Sequence, residues 1–476
     1  MIYGLLNEFT INLREMKKYV LLILITIFTA GQIMAQDNQE CLQNLSIFAE
    51  SAKVKNFEAA YEPWLSVKNQ CPTINRAIYT YGERILKDRL EKATPENKPA
   101  ATAELMDLYD SWLVHFPSTK GVNKVGDILS SKAQTMIDYN IGTPKEVYQT
   151  FDKAFTQDPA SFTNPKSLYN YFKVLHERYK AGDTEVSTKL LFEKYEEVSE
   201  KFEVEQTSLA KKLDVLLNKE EGGEALTTRD LKRRRVYDVN SNAIGIFISN
   251  LDAIIAQEAS CENLIPLYQS SFEENKNDPV WLNRAAGRMK SKECSDDPLF
   301  VTIVEALHSL KPSADSAYYL GILNDKRGNN NEALRYYEES ISLESDPYKK
   351  AKTLYKIALE FKARGRKSTA RSYAQKALKL QPSLGKAHLM ISNLYASSAN
   401  DCGNTQFEKR AVYWLAAQSA RRAAVVDASI KKAAIKTAVS YEGRAPSKTD
   451  IFTEGREGTT VTFSCWINGS VKVPKL

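Results

Sequence analysis

The sequence predicts an all-α fold: an α-solenoid of helical hairpins, with one long hairpin in its centre and a short β-hairpin at its C-terminal end. Three observations predict it. The 476-residue chain contains only 20 glycines and 16 prolines, and it is rich in helix-forming residues. Small and apolar residues recur at a nearly constant interval between residues 314 and 396. The periodicity becomes that of strands only near the C-terminus.

Residues 1–35 are predicted to be a cleaved signal peptide and not part of the fold. A pair of lysines precedes an apolar run of about ten residues, and a cleavage signal ends at Ala35, with Met16 as the expected start. The run is shorter than the roughly 20 residues that a membrane-spanning helix needs. Gln36 follows the cut where a lipid-anchored protein would carry Cys. We therefore expect the mature protein in the periplasm or secreted.

The six cysteines all follow the predicted signal peptide. An even number in an exported chain favours disulfides, although six cysteines allow 15 pairings. The spacing predicts Cys41–Cys71, Cys261–Cys294 and Cys402–Cys465, because each of the first two pairs brackets about one helical hairpin. Six buried reduced thiols are the alternative. A metal site is not expected, since no two cysteines are closer than 30 positions.

The strongest repeat unit combines small residues, a turn glycine and a terminal proline. Its members are Leu354, Ile357, Ala358, Phe361, Gly365, Ala370, Ala374, Ala377 and Pro382. The position of Ile357 recurs 34 residues later at Ile391 and, after a longer loop, 37 residues earlier at Leu320. Small residues let two helices approach closely, and Gly and Pro end each helix. A generic helical bundle is the alternative to this repeat.

Residues 314–396 resemble the tetratricopeptide-repeat family. Weaker versions of its second-helix pattern occur at Ala60/Trp64/Pro72, Leu105/Tyr109/Pro117 and Val147/Phe151/Pro159. The resemblance implies a stack of antiparallel helix pairs, which we expect to extend over most of residues 40–160.

The middle of the chain departs from the repeat. Apolar residues fall at helical spacings from Thr184 to Asn218, which predicts a helix far longer than a repeat helix. A glycine-containing turn follows, and Thr227 with Asp230 predicts a capping box for a second long helix that runs to Ala256. This hairpin either protrudes or braces two arrays; an elongated repeat pair is the simpler alternative.

The C-terminal tail is predicted to be a β-hairpin. Two β-rich runs, TTVTFSCWI and SVKVP, flank Asn468-Gly469, a dipeptide typical of two-residue hairpin turns. Two strands alone are marginally stable, so we expect the tail to pack on the preceding helices and to cap the solenoid. A docking role is the alternative.

No motif for catalysis or cofactor binding stands out. The four histidines lie in separate segments, and the chain lacks Cys-x-x-Cys, G-x-S-x-G and a phosphate-binding glycine loop. Ser383 and Lys386 form an S-x-x-K string, but Lys386 already has a place in the repeat. We therefore expect no enzymatic activity and no cofactor.

The charge distribution is uneven. After residue 35 the chain carries 62 Lys and Arg against 57 Asp and Glu, and residues 348–448 alone hold 21 against 5. This basic segment favours an acidic protein segment, an envelope polysaccharide or lipid head-groups, whereas nucleic acid is not expected outside the cytoplasm. A solvated face without a partner is the alternative.

The family resemblance implies that a ligand lies in the concave groove formed by the first helix of each repeat. Some relatives hold a peptide carboxylate there with a Lys/Asn/Arg clamp; because Lys386 alone occupies a clamp position here, we do not expect that clamp. The groove would suit an acidic or aliphatic peptide. Beside Asp315, its residues would be Tyr318, Ile322, Lys352, Tyr355, Leu359, Lys362, Lys386, Leu389 and Asn393.

The sequence thus predicts an exported, non-catalytic scaffold that binds another cell-envelope protein as an assembly or secretion accessory. The alternative is a peptidoglycan- or polysaccharide-binding module. The chain is not expected to span the membrane, although peripheral contact is compatible with its charge. The expected divisions are a signal peptide (1–35), degenerate repeats (36–183), a long hairpin (184–257), basic repeats (258–445) and a β-hairpin cap (446–476).

Overall fold

A computed structural model describes residues 39–476. The signal-peptide prediction and its cleavage site lie outside these residues. The chain divides into two compact units, whose described parts are residues 39–167 and 168–476. The five-segment division made from the sequence stays a prediction.

The first unit is a series of antiparallel helices around an apolar core. Fully buried aromatic residues on three consecutive helices form the centre of this core: Trp64, Tyr79 and Tyr109. A two-residue strand pair, which the sequence analysis did not predict, separates two of the helices. The elements are α1 (39–53), α2 (Phe57–Gln70), α3 (Ala77–Lys92), α4 (Lys98–His115), β1 (Ser118–Thr119), β2 (Val122–Asn123), α5 (Val125–Asp138) and α6 (Pro144–Gln157), followed by α7 (Pro165–Lys180), which continues into the second unit.

The second unit consists of a long hairpin, several shorter helix pairs and a terminal strand pair. Its helices after α7 are α8 (Thr188–Glu221), α9 (Thr228–Ile255), α10 (Cys261–Asn275), α11 (Pro279–Ser291), α12 (Pro298–Leu310), α13 (Ala314–Lys326), α14 (Asn330–Leu343), α15 (Pro347–Ala363), α16 (Lys367–Leu380), α17 (Gly385–Ala396), α18 (Gln406–Val426), α19 (Lys431–Glu442) and α20 (Lys448–Thr453). The strands are β3 (Thr460–Phe463) and β4 (Gly469–Lys472), which pair antiparallel.

The predicted helical repeat is confirmed between α13 and α18. Leu320, Ile357 and Ile391 lie on the first helices α13, α15 and α17, and each is buried. Gly328 and Gly365 adopt φ of 80° and 71° in the turns after α13 and α15. Glycine takes this left-handed conformation without the steric cost of a Cβ atom, so each first helix ends cleanly.

The long central hairpin is also confirmed, as α8 and α9. The side chain of Thr227 accepts a hydrogen bond from the backbone N–H of Asp230, and the Asp230 carboxylate accepts one from the backbone N–H of Thr227. This is the predicted capping box at the start of α9. We refer to α8 and α9 together as the α8–α9 hairpin.

The structure joins the cysteines in the three predicted pairs. The Cα–Cα distances are 6.5 Å for Cys41–Cys71, 5.5 Å for Cys261–Cys294 and 5.4 Å for Cys402–Cys465. The first pair links α1 to the residue after α2, and the second links the first residue of α10 to the loop after α11. Each therefore closes one helical hairpin, as the spacing predicted.

The C-terminal β-hairpin is present, but its turn differs from the prediction. Phe463 pairs with Gly469, so residues 464–468 form the connection and Asn468-Gly469 is not a two-residue turn. Tertiary contacts hold the connecting residues away from the ladder: Cys465 is bonded to Cys402, and the Arg371 guanidinium donates to the carbonyl oxygens of Trp466 and Ile467.

Candidate functional site

The groove residues predicted from the sequence occupy three different environments. Tyr318 and Ile322 are buried in the helix stack, with 5% and 1% of their surface exposed. Asp315, Lys352, Tyr355 and Lys386 line cavities on the first-helix side of the repeats, and the buried Tyr318 borders the larger of them. The remaining residues line neither cavity: Leu359 and Lys362 are exposed, Leu389 packs near α18, and the Asn393 side chain accepts a hydrogen bond from Tyr441.

The candidate site is a cleft of about 1530 Å³ between the α8–α9 hairpin and the first helices of the repeats. We call this space the cleft. Residues of α8, α9, α11, α13 and α15 line it, together with Lys386 of α17. A smaller cavity of about 260 Å³ adjoins it and includes Tyr355, Lys352 and Lys386. The structure thus brings together Tyr318, Lys352, Tyr355 and Lys386 from the predicted set.

Helix α8 lies along the groove and forms ion pairs with the repeats. Glu203 of α8 lies 3.4 Å from the Lys352 Nζ, and Lys211 lies 3.2 Å from an Asp346 oxygen. Arg284 of α11 donates two hydrogen bonds, of 2.7 and 2.8 Å, to the Glu200 carboxylate. Solvent-exposed pairs of this kind each contribute little to stability, but together they set the register of α8 against the repeats.

A buried carboxylate anchors α8 at the start of α17. The Asp214 side chain, 3% exposed, accepts a 2.7 Å hydrogen bond from the backbone N–H of Ser383. Burial raises the pKa of Asp214, an effect that the backbone hydrogen bond from Ser383 partly opposes. Leu213 and Leu217 pack beside it against Val426 of α18. The hydrogen bond of Asp214 and the apolar contacts beside it therefore hold α8 against α18 and the start of α17.

A buried charge pair joins α8 to α11 in the wall of the cleft. Arg288 of α11 donates hydrogen bonds of 2.8 and 2.5 Å to Glu196 of α8, and its guanidinium lies 4.0 Å from the Tyr195 ring centre. Burial raises the pKa of Glu196, while the Arg288 charge acts in the opposite direction. Because removing one partner would leave an uncompensated buried charge, this pair holds α8 and α11 in one arrangement.

Several buried polar atoms around the two cavities have no hydrogen-bond partner within residues 39–476. They are the Oγ of Ser199 and the Oδ1 of Asn283 in the cleft, and the Oε1 of Gln381 and the Oγ of Ser383 in the smaller cavity. Buried polar atoms in proteins are nearly always hydrogen-bonded. These four atoms therefore mark hydrogen-bonding capacity that the described residues leave unused beside the two cavities.

His388 on α17 gives this region a predicted pH dependence. Burial and the positive charge of Arg422 lower its pKa to about 4, against an ordinary value of 6.5. The folded state therefore keeps His388 neutral where the unfolded chain would bind a proton. The stability that depends on a neutral His388 is therefore fully present above pH 6.5 and is lost as the pH falls towards 4. Over this pH range the loss lowers the free energy of unfolding by about 3 kcal/mol.

We expect His388→Gln to remove this pH dependence. The measurement is the free energy of urea unfolding of both proteins at intervals from pH 7.5 to 4.5. The difference between wild type and variant should shrink or reverse as the pH falls, because the wild type alone loses the contribution of a neutral imidazole. A difference that stays constant over this range would contradict the prediction.

The described residues contain no candidate for a membrane-spanning helix or for a metal site. No helix within residues 39–476 combines the length and the apolar character needed to cross a membrane. In the same part of the chain, no three or more His, Cys, Asp or Glu side chains are grouped in a way that could hold a metal ion.

Sequence reasoning missed the residues on α8. Glu196, Glu200 and Glu203 recur at intervals of four and three, which places them on one face of α8, and Arg284 and Arg288 are likewise four apart on α11. These spacings were a usable signal for two complementary charged faces. The sequence did not indicate that the faces meet, nor that the buried Asp214 would reach α17.

Comparison with known proteins finds relatives that match about a quarter of the sequence, and solved structures with low sequence identity. No protein-family model matches the chain. The photosystem I assembly protein Ycf3 of Cyanophora paradoxa is 30% identical over 132 residues, which cover 25% of this chain and 76% of that protein. The protein of the same name from Synechococcus elongatus is 30% identical over 122 residues, covering 24% of this chain and 70% of that protein.

Among solved structures, a tetratricopeptide repeat protein from Parabacteroides merdae is 11% identical, with a TM-score of 0.23 over 66% of this chain and 97% of that chain. Yeast Tom70 is also 11% identical, with a TM-score of 0.26 over 88% of this chain and 99% of that chain.

Proposed function

Because the chain belongs to the tetratricopeptide-repeat family, we propose that it is an exported, non-catalytic scaffold that binds a segment of another cell-envelope protein in the cleft. The family membership supports protein–protein interaction as the general role. The word "assembly" in the relatives' names supports a role in the assembly of other proteins. The three cysteine pairs at disulfide distance are consistent with an oxidising compartment, which supports export.

The observation that carries the proposal is the combination of unsatisfied polar atoms and mixed charges in the cleft. Ser199 and Asn283 line the cleft, and a small shift of the side chains that cover their unpartnered oxygens would let these oxygens accept hydrogen bonds from the backbone N–H groups of an extended peptide. Lys352 and Lys386 add positive charge beside the half-buried Tyr355. These features suit an extended segment with acidic and apolar side chains, as the sequence indicated; Ile322, inside the core, is not part of this surface.

A ligand that enters the cleft must compete with the α8–α9 hairpin for Lys352. The ion pair between Lys352 and Glu203 spans 3.4 Å, which is long for a charge-assisted hydrogen bond. A partner carboxylate can therefore replace Glu203 at Lys352 at small energetic cost. The stronger anchors at Asp214 and Arg288 would hold the hairpin in place while the ligand binds.

The test is crosslinking in intact cells, with identification of the attached protein and then comparison of variants. The structure separates the three lysines predicted to bind: Lys352 and Lys386 line the cleft, whereas Lys362 is exposed on the same helix as Lys352 but outside it. We expect Lys352→Glu with Lys386→Glu to reduce capture of the partner at least about tenfold, since two attractive charges become repulsive.

Lys362→Glu serves as the matched control and should capture the partner like the wild type. Circular dichroism should show equal helicity in all variants. Undiminished capture by the double variant would show that the cleft is not the binding site. Retention on isolated peptidoglycan with no protein attached would support the alternative polysaccharide-binding role.

A further inference from the structure

Helix α9 carries an exposed apolar stripe that the cleft does not use. Val236, Val239, Ala243 and Ile246 follow each other at intervals of three, four and three residues. Val236, Val239 and Ile246 are 56%, 62% and 50% exposed, and Ala243 is partly exposed. We call these four residues the α9 seam. At 1.5 Å per residue, the seam is about 15 Å long.

The seam faces away from the side on which α9 packs. Ile244, Leu251 and Ile255 are the buried apolar residues of α9, and Gly245 approaches Ser429 on that side. At 100° per residue, Val239 and Ile246 lie roughly 120–180° around the helix from the three buried residues, whereas Val236 and Ala243 lie roughly 60–120° from them. Phe247 also contacts Tyr169 of α7 at the edge of the seam, with ring centres 5.4 Å apart, so the packed residues border the seam while Val236, Val239 and Ile246 remain exposed.

Basic side chains flank the N-terminal end of the seam. Arg229, Lys232, Arg233 and Arg235 are all exposed. The acidic residues nearby are used within the chain or partly covered: Asp230 is buried in the capping box, and Asp238 is partly buried. The surface around the seam is therefore positively charged and complementary to an acidic partner.

The spacing and residue types identify the kind of occupant. Apolar residues at alternating intervals of three and four form the narrow contact line of two packed helices, and β-branched Val and Ile are common in such contacts. Helices that lie on membranes instead present a wide apolar face with Trp, Phe or Leu. The α9 seam is narrow and itself contains none of these three residue types, and Phe247, which borders it, is engaged by Tyr169 of α7, so a partner helix fits the seam better than a lipid surface.

We propose that the α9 seam docks an acidic amphipathic helix of a partner protein, at a surface separate from the cleft. The apolar stripe of the partner helix would pack on Val236, Val239, Ala243 and Ile246. Its flanking Glu or Asp residues would face Lys232 and Arg235. The proposal goes beyond the cleft-binding function, since the two surfaces lie on opposite sides of α9 and can be occupied independently.

The test uses two synthetic four-heptad helices and the full mature chain. Both peptides carry Leu at heptad positions a and d; one has Glu at positions e and g, and the other has Lys there. We expect the chain to bind the Glu peptide and not the Lys peptide, as measured by fluorescence anisotropy at low salt. Binding should weaken with added salt, because the flanking contacts are exposed charges.

Substitutions then locate the binding surface. Val239→Asn with Ile246→Asn should weaken binding of the Glu peptide at least about tenfold, as should Lys232→Glu with Arg235→Glu. Val114→Asn, at an exposed valine of α4, is the matched control and should bind normally. The cleft variant carrying Lys352→Glu and Lys386→Glu should also bind normally, which separates failure of this proposal from failure of the cleft.

Four results would overturn the proposal. They are no binding of the Glu peptide, equal binding of both peptides, binding that the seam substitutions leave unchanged, and dimerisation of the chain that the seam substitutions abolish. The membrane alternative is tested with vesicles of phosphatidylglycerol and phosphatidylcholine. Vesicle binding that is lost in the seam variant, together with weak peptide binding, would assign the surface to lipid and would also contradict the proposal.

Discussion

Replacing both Cys402 and Cys465 with alanine is expected to lower the free energy of unfolding by about 4 kcal/mol and to release the C-terminal β-hairpin. The two cysteines are separated by 63 positions, and closing a loop of this size restricts the unfolded chain by about that amount in the chain-entropy model. Two strands alone are marginally stable, so β3 and β4 depend on their attachment to the helices. Urea unfolding measures the loss, and hydrogen exchange in residues 460–472 measures the release.

Noncovalent contacts oppose the release of the tail. Arg371 donates to the Trp466 and Ile467 carbonyl oxygens, and the Trp466 indole N–H donates a 3.1 Å hydrogen bond to Ser398. As a control, Cys261→Ala with Cys294→Ala removes a bond elsewhere and should leave exchange in residues 460–472 slow. If the tail stays equally protected without its own disulfide, these polar contacts suffice and the prediction is wrong.

Replacing Trp64 with alanine is expected to destabilise the first unit by about 3–5 kcal/mol, the usual cost of removing a large buried aromatic side chain. Trp64 has no exposed surface, and its indole N–H donates a 2.7 Å hydrogen bond to the Ile78 carbonyl oxygen. Its ring fills the space beside Gly82, where an added Cβ atom would lie 2.5 Å from the Trp64 Nε1. The substitution thus leaves a cavity and removes one of the hydrogen bonds that the Ile78 carbonyl oxygen accepts.

Hydrogen exchange in residues 57–92 and urea unfolding of the full chain measure this effect. Trp64→Phe keeps most of the apolar contact but loses the hydrogen bond, so we expect an intermediate loss of about 1–3 kcal/mol. Val54→Ala, at a residue that is 76% exposed, should change stability by less than about 0.5 kcal/mol. A loss below about 1 kcal/mol for Trp64→Ala would mean that the helices collapse into the vacated space.

Local periodicity was sufficient for much of the fold. The interval between Ile357 and Ile391 identified equivalent first helices, and the glycine at 365 identified the turn between α15 and α16. The Thr227 and Asp230 pair marked the start of α9. These features depend on residues within a few turns of each other, and helix formation and capping are local processes.

The candidate site was less predictable. The family resemblance placed Ile322 in the groove, but the structure buries it within the helix stack, where only 1% of its surface is exposed. Lys352 and Lys386 do line the cleft. Nothing in the sequence pairs Lys352 with Glu203, since 149 positions separate them and no local pattern links them.

By itself, the sequence determined the all-α class, the repeat interval, the long hairpin and the pairing of cysteines across single hairpins. Only the tertiary structure decided that α8 lies along the first helices of the repeats, that Asp214 reaches the start of α17 and that the α9 seam remains exposed. The physical reason is the range of the interactions. Helices, turns and caps arise from neighbours along the chain, whereas the contacts of α8 join residues more than 80 positions apart, whose meeting depends on how the whole unit packs.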